Sequence, residues 1–116
     1  MHARAVLGRD GESEAERLYR RAGFTVERNF RAGRIEVDLV AYRSGMVVFC
    51  EVKTRTGDRW GSPAEAVGYK KQARIRRAAT EWLAQRKPGA VEVRFDVVSV
   101  IVRDGRLELT HIPNAF

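Results

Sequence analysis

The sequence predicts one mixed α/β domain with the element order α-β-β-β-α-β and an extra strand near its carboxyl end. Three observations predict it. Residues 11–22 and about 62–86 place apolar side chains at helical spacing. Runs rich in Val, Ile and Phe at 24–30, 34–55 and 91–102, and an alternating run at 106–112, read as strands. The dipeptides Ser44-Gly45 and Asp104-Gly105 are suited to the tight turns that close hairpins.

At 116 residues the chain is one domain, and 44% hydrophobic with 32% charged residues marks it as globular rather than disordered. The formal charge of +7 and the pI near 10.3 favour a polyanionic partner, nucleic acid before an anionic membrane surface. A compositional bias toward arginine is the plainer account of the same excess. Cys50 is the single cysteine, which excludes an internal disulfide and a cysteine zinc cluster. His2 and His111 lack ligand spacing. No apolar run approaches the roughly 18 residues of a membrane span, and no signal-peptide pattern opens the chain, so the expected location is cytoplasmic, away from the membrane.

Residues 1–10 read as a tail, and residues 11–116 as the single domain. Ala15, Leu18, Tyr19 and Ala22 form the stripe of the first helix, with Asp10 or Ser13 as its cap and Gly23 as its stop. Glu12 falls on that stripe. It serves either as favourable charge in the first turn or as a carboxylate facing the hairpin that follows. Phe24 to Phe30 is a strand, and Arg31 to Gly33 turns into the hairpin.

That hairpin, Arg34 to Arg55, organises the reading. A two-residue loop at Ser44-Gly45 pairs Arg43 with Met46, and the same register sets Asp38 opposite Glu51 and Glu36 opposite Lys53. Strict alternation puts Ile35, Val37, Leu39 and Ala41 on one face with Val48, Cys50 and Val52. Val40, Tyr42, Val47 and Phe49 share the other face with Asp38, Glu51, Lys53 and Glu36. Opposed carboxylates on a strand pair lie about 5 Å apart and repel. Folding gains nothing obvious from them, whereas a hard divalent cation would bind both. A lysine beside such a cation is equipment for hydrolysing a phosphodiester.

Thr54 to Ser62 reads as a polar loop. Arg55 and Arg59 suit contacts to a phosphate backbone, and Trp60 packs onto the core. Ser62-Pro63-Ala64-Glu65 fits a capping box for a second helix that reaches about Arg86, with a break at Gly68. Ile75, Ala78, Ala79, Trp82 and Leu83 form its stripe. Lys71 and Gln72 extend that stripe where apolar residues run out; they lean toward the carboxylates, or Lys71 snorkels to water. Lys70 and Arg74 lie on a different face, solvated or seeking phosphate. Val91 to Val102 suits a central strand, in which Asp96 pairs with a nearby arginine. Residues 106–112 form an edge strand, and residues 113–116 a loosely packed end.

Five stretches carry a resemblance: GESEAERLYRRAGF, ERNFRAGRIEVDLVA, VFCEVKTR, WGSPAEAVGYKKQ and RFDVV. In this order they resemble the YraN-like branch of the PD-(D/E)XK nuclease superfamily, which includes restriction endonucleases and Holliday-junction resolvases. The resemblance implies a restriction-endonuclease-like αβββαβ core with a mixed sheet. It implies Mg²⁺ or Mn²⁺ held by Asp38 and Glu51 with the Val52 carbonyl, Glu12 beside the metal, and Lys53 positioning or deprotonating the attacking water. Glu36 matches a further acid, and Lys71 and Gln72 match polar positions of the second helix. Val37 stands where the superfamily name has proline, and Ile35 where the family has glycine. The expected function is a metal-dependent endonuclease on DNA, acting on branched or single-stranded forms. Nothing in the chain resembles a base-reading helix, so little sequence specificity is expected, and a homodimer is the form that would cut both strands of a duplex. The alternative is a non-catalytic nucleic-acid binder or adaptor on the same scaffold.

Overall fold

Gly45 adopts a left-handed φ of 81°, and the turn it makes with Ser44 pairs Arg43 with Met46 as the register requires. The computed structural model describes the backbone of residues 3–56 and 67–116, and the side chains of residues 11–56 and 67–116. The elements are α1 (Ala3–Arg21), β1 (Thr25–Ala32), β2 (Ile35–Arg43), β3 (Met46–Thr56), α2 (Tyr69–Arg86), β4 (Glu92–Arg103) and β5 (Arg106–Ile112). This is the expected mixed α/β core with its additional carboxyl-terminal strand.

The five strands form one sheet in the order β1-β2-β3-β4-β5. All neighbours are antiparallel except β3 and β4, which run parallel and are joined through α2. The helices cover opposite faces. Ile75, Ala78, Ala79 and Trp82 of α2 pack on Val40, Val47, Phe49, Phe95 and Val97. Ala15 and Tyr19 of α1 pack on Leu39, Ala41, Val48, Cys50, Val98 and Val100. Gly11 makes that second contact close, because a Cβ at this position would clash with Thr54 Oγ1. Among the described residues no helix is long and apolar enough to cross a membrane.

Several boundaries differ from expectation. The first helix begins at Ala3 rather than near Gly11. Residues 3–10 contain Ala, Arg and Leu, good helix formers without a clear apolar period, so propensity speaks where pattern does not. Its end is as expected: Gly23, at φ 88°, stops it, and the Phe24 N–H returns to the Tyr19 carbonyl at 3.1 Å. The second helix begins at Tyr69, with Gly68 as its N-cap. The capping box at Ser62-Pro63-Ala64-Glu65, with Arg59 and Trp60, lies outside the described residues. The carboxyl end is pinned rather than loose. The Ala115 N–H donates to the Phe95 carbonyl at 2.7 Å, and Phe116 stacks on Phe95 with ring centroids 5.3 Å apart.

The main correction concerns β2. Ile35 and Val37 do not share a face with Leu39; they pack on the α2 side, and Leu39 packs on the α1 side. The neighbouring strand reverses at the same level, with Val26 on the α1 side and Phe30 on the α2 side. Between them Asn29 adopts a left-handed φ of 55°. The pairs Arg28↔Leu39 and Phe30↔Val37 continue on either side of it. Alternation therefore breaks at Asn29 and Asp38 without a change of register. A left-handed residue rotates the strand, which period-two reasoning does not anticipate.

Candidate functional site

Asp38 stands at that break. Pairing of β2 with β3 runs from Arg43↔Met46 to Leu39↔Cys50. A continued ladder would give the Val52 N–H to the Val37 carbonyl. It goes instead to Asp38 Oδ2, at 2.8 Å. In return the Asp38 N–H donates to Glu51 Oε2 at 3.2 Å. Side-chain oxygens thus join the two strands where the ladder ends, and they bring the two carboxyl groups side by side.

Glu51 is almost fully buried, at 3% exposure, and Asp38 is half-buried. Burial, followed by the negative charge of Glu51, pushes the Asp38 carboxyl up to about 7. The Val52 amide and the charge of Lys71 pull the other way without prevailing. Lys71 reaches in from the first turn of α2, its Nζ 3.1 Å from Glu51 Oε1, with half of its own side chain in solvent. An ammonium therefore already sits against a pair of crowded carboxylates. Two oxygen-donor carboxylates that hold a cation by charge fit a hard divalent ion such as Mg²⁺ or Mn²⁺. Val52 directs its N–H toward Asp38 Oδ2. Lys53 is exposed, on the face of β3 that Glu51 occupies by alternation, and makes no ion pair among the described residues.

Other expected residues are held elsewhere. Glu12 does not join the pair: its Oε2 accepts from Arg28 Nη2 at 3.0 Å, on the α1 side of the sheet. Among the described residues no three His, Cys, Asp or Glu side chains come close enough to hold a metal together. Glu36 does not join it either. It pairs with Arg31 Nη2 at 2.9 Å, its cross-strand neighbour, because the reversal at Asp38 separates the two acids. Gln72 turns away, donating from Nε2 to the Val67 carbonyl at 3.0 Å and securing the entry to α2. Arg55 is half-buried on β3 beyond Lys53. Lys70 and Arg74 are exposed on α2.

Asp96 pairs with an arginine, as expected, and with more besides. It is fully buried and accepts from both Arg94 Nε and Nη2 at 2.8 Å, from Tyr19 Oη at 2.7 Å and from the Asn114 N–H at 3.0 Å. His111 Nε2 lies 2.8 Å away. Burial alone would raise its carboxyl, but the hydrogen bonds from His111, Arg94 and Tyr19 outweigh it and hold the group down at about 2. With both oxygens so engaged, this acid ties α1, β4, β5 and the carboxyl end together.

Sequence reasoning missed Arg34. It lines a groove of about 600 Å³ with Ile35, Glu36, Lys71, Arg74 and Ile75. The signal was the basic pair Arg31 and Arg34 flanking Ala32-Gly33, read only as a turn and the first residue of the hairpin.

The model of the uncharacterised protein family UPF0102 matches residues 11–100. A UPF0102 protein of Frankia casuarinae is 46% identical over 118 residues, covering all of both chains. One of Rhodococcus jostii is 46% identical over 113 residues, covering 96% of each. One of Syntrophotalea carbinolica is 44% identical over 116 residues, covering 99% of this chain and 94% of the other.

Proposed function

The chain belongs to the uncharacterised protein family UPF0102, and we propose that it is a metal-dependent nuclease whose centre is Asp38 and Glu51. The observation that carries this reading is the exchange between those residues: two carboxyl groups crowded together at the end of a ladder, with the Lys71 ammonium 3.1 Å from one of them. A fold selected for stability alone has no use for such a pair, since adjacent like charges work against it. The +7 charge supports a nucleic-acid substrate, DNA in the first instance.

Asp38 and Glu51, with the Val52 carbonyl, would hold Mg²⁺ or Mn²⁺. When bound, the ion supplies a more acidic water and offsets charge on the scissile phosphate. Lys53 orients the attacking water or takes its proton. Lys71, exchanged off Glu51, neutralises charge that builds on the phosphate oxygens. Glu12 and Gln72 contribute only if they leave Arg28 and Val67.

The test is cleavage of single-stranded, duplex and four-way-junction DNA with Mg²⁺ or Mn²⁺, set against EDTA. Glu51→Ala and Lys53→Ala should abolish cutting while the fold persists. A wild type that binds every substrate and cuts none favours the second reading, a non-catalytic binder or adaptor. The Glu12–Arg28 ion pair supports that second reading, because it keeps a third carboxylate away from the centre.

A further inference from the structure

We infer that the groove between the β1–β2 turn and α2 binds one unpaired strand of nucleic acid and delivers it to the Asp38–Glu51 pair. The inference rests on the nuclease reading for its substrate and adds where, and in what form, that substrate lies.

Four observations carry it. The walls are cationic: Arg34 stands on the turn, with Lys71 and Arg74 on the helix opposite. The one acid of the lining among the described residues, Glu36, is already neutralised by Arg31 at 2.9 Å. The floor is apolar, made by Ile35 and Ile75, and suits a sugar or a base face rather than phosphate alone. Lys71 belongs both to the groove and to the centre, since its Nζ touches Glu51. A strand lying in the groove therefore passes the carboxylates.

The helix extends this surface. Lys70, Arg74 and Arg77 recur at i, i+4 and i+7, along one side of α2, and none is ion-paired among the described residues. Residues four apart rise about 6 Å along a helix, on the order of the step between phosphates of a single strand. By contrast Arg76 and Arg86 are engaged, Arg76 over the Phe95 ring and Arg86 with Glu27. Of the α2 cations without an ion pair among the described residues, Arg74 lines the groove, and Lys70 and Arg77 continue its row along the helix.

Size selects the form of the ligand. A groove of about 600 Å³ takes roughly a nucleotide or two. Apolar and cationic groups side by side are what single strands use, with bases or sugars on the former and phosphates on the latter.

The experiment is fluorescence anisotropy in EDTA, so that neither metal binding nor cleavage enters. The probes are labelled oligothymidylate and oligouridylate of about 20 nucleotides and a mixed-sequence duplex of equal length. The wild type should bind an unpaired strand several-fold tighter than the duplex, whichever sugar it prefers. Arg34→Ala and Arg74→Ala should each weaken that binding several-fold. Each should also flatten the salt dependence, by about 0.7 in the slope of log affinity against log salt. Arg21→Ala, on α1, is the control and should change little. Equal or tighter binding of the duplex overturns the inference, as do groove variants no weaker than the control. If the groove variants behave as expected while Mn²⁺ neither binds nor supports cutting, the nuclease reading fails and the groove stands. The reverse pattern condemns the groove alone.

Discussion

Asp38 and Glu51 are joined through a backbone amide: the Asp38 N–H donates to Glu51 Oε2 at 3.2 Å, and this fixes the two carboxyl groups side by side at the end of a ladder. Neither acid can move away without giving up a hydrogen bond to the neighbouring strand, since Asp38 Oδ2 also accepts the Val52 N–H. Burial, and then the charge of Glu51, raise the Asp38 carboxyl to about 7.

That shift has a sign. A carboxyl raised in the fold keeps its proton there after the unfolded chain has released it. Stability from this group is full below about 4, falls as pH rises through the interval to about 7, and stays low above it. Asp38→Asn removes the titration. In EDTA its melting temperature should exceed that of the wild type at pH 8, and the gap should close toward pH 4. A gap that is constant with pH would show that Asp38 does not titrate in this interval.

Divalent ions should reverse the penalty. Mn²⁺ at about 100 times its dissociation constant adds roughly 2.7 kcal/mol to the stability of a one-site protein. Thermal unfolding of the wild type should show a clear rise with Mn²⁺, while Asp38→Asn and Glu51→Gln should show little.

Lys71→Met should separate the two tasks of that lysine. Removing the ammonium leaves buried Glu51 without its cation, which should cost about 1–2 kcal/mol in EDTA because Lys71 is itself half in solvent. It also removes a competitor, so calorimetry should report tighter Mn²⁺ binding than in the wild type. Weaker binding would mean that Lys71 does not oppose the ion.

Asn29 tests how the site is built. Its φ of 55° marks the reversal that carries Asp38 out of regular alternation. Asn29→Gly should be near neutral, whereas Asn29→Val should lose about 1–2 kcal/mol and bind Mn²⁺ more weakly, since a β-branched residue resists this conformation.

Asp96 offers an independent check on stability. Its carboxyl is depressed to about 2, so its contribution is present above about 4 and lost as pH falls toward 2. Asp96→Asn should destabilise by roughly 2–4 kcal/mol, because the partly buried Arg94 loses its carboxylate and the bonds from Tyr19 and Asn114 to a buried acid are weakened. Acid unfolding should become shallower, and the Mn²⁺-dependent rise in melting temperature should persist.

The hairpin and its register from Arg43↔Met46 to Leu39↔Cys50 were legible from residues 34–55, because a two-residue turn and strand geometry act over short range; the nearness of Asp38 to Glu51 was expected from that register, but it arises beyond the regular ladder, through bonds between side chain and backbone. The approach of Lys71 was legible too, as a polar residue continuing an apolar helical stripe. The same rules left Glu12 between two roles and did not anticipate the partner of Glu36. Each meets an arginine, Arg28 or Arg31, whose reach depends on how β1 lies against its neighbours.

By itself the sequence determined the order of elements, the turn at Ser44-Gly45, the opposition of Asp38 to Glu51 and the basic excess. All of these follow from local conformation or from composition. Only the tertiary structure decided which face Val37 takes, which acids are neutralised by arginine, and that Arg34 and Arg74 wall one groove. Those outcomes turn on the left-handed twist at Asn29 and on the packing of α2 across the sheet, where residues far apart in the chain compete for the same partners.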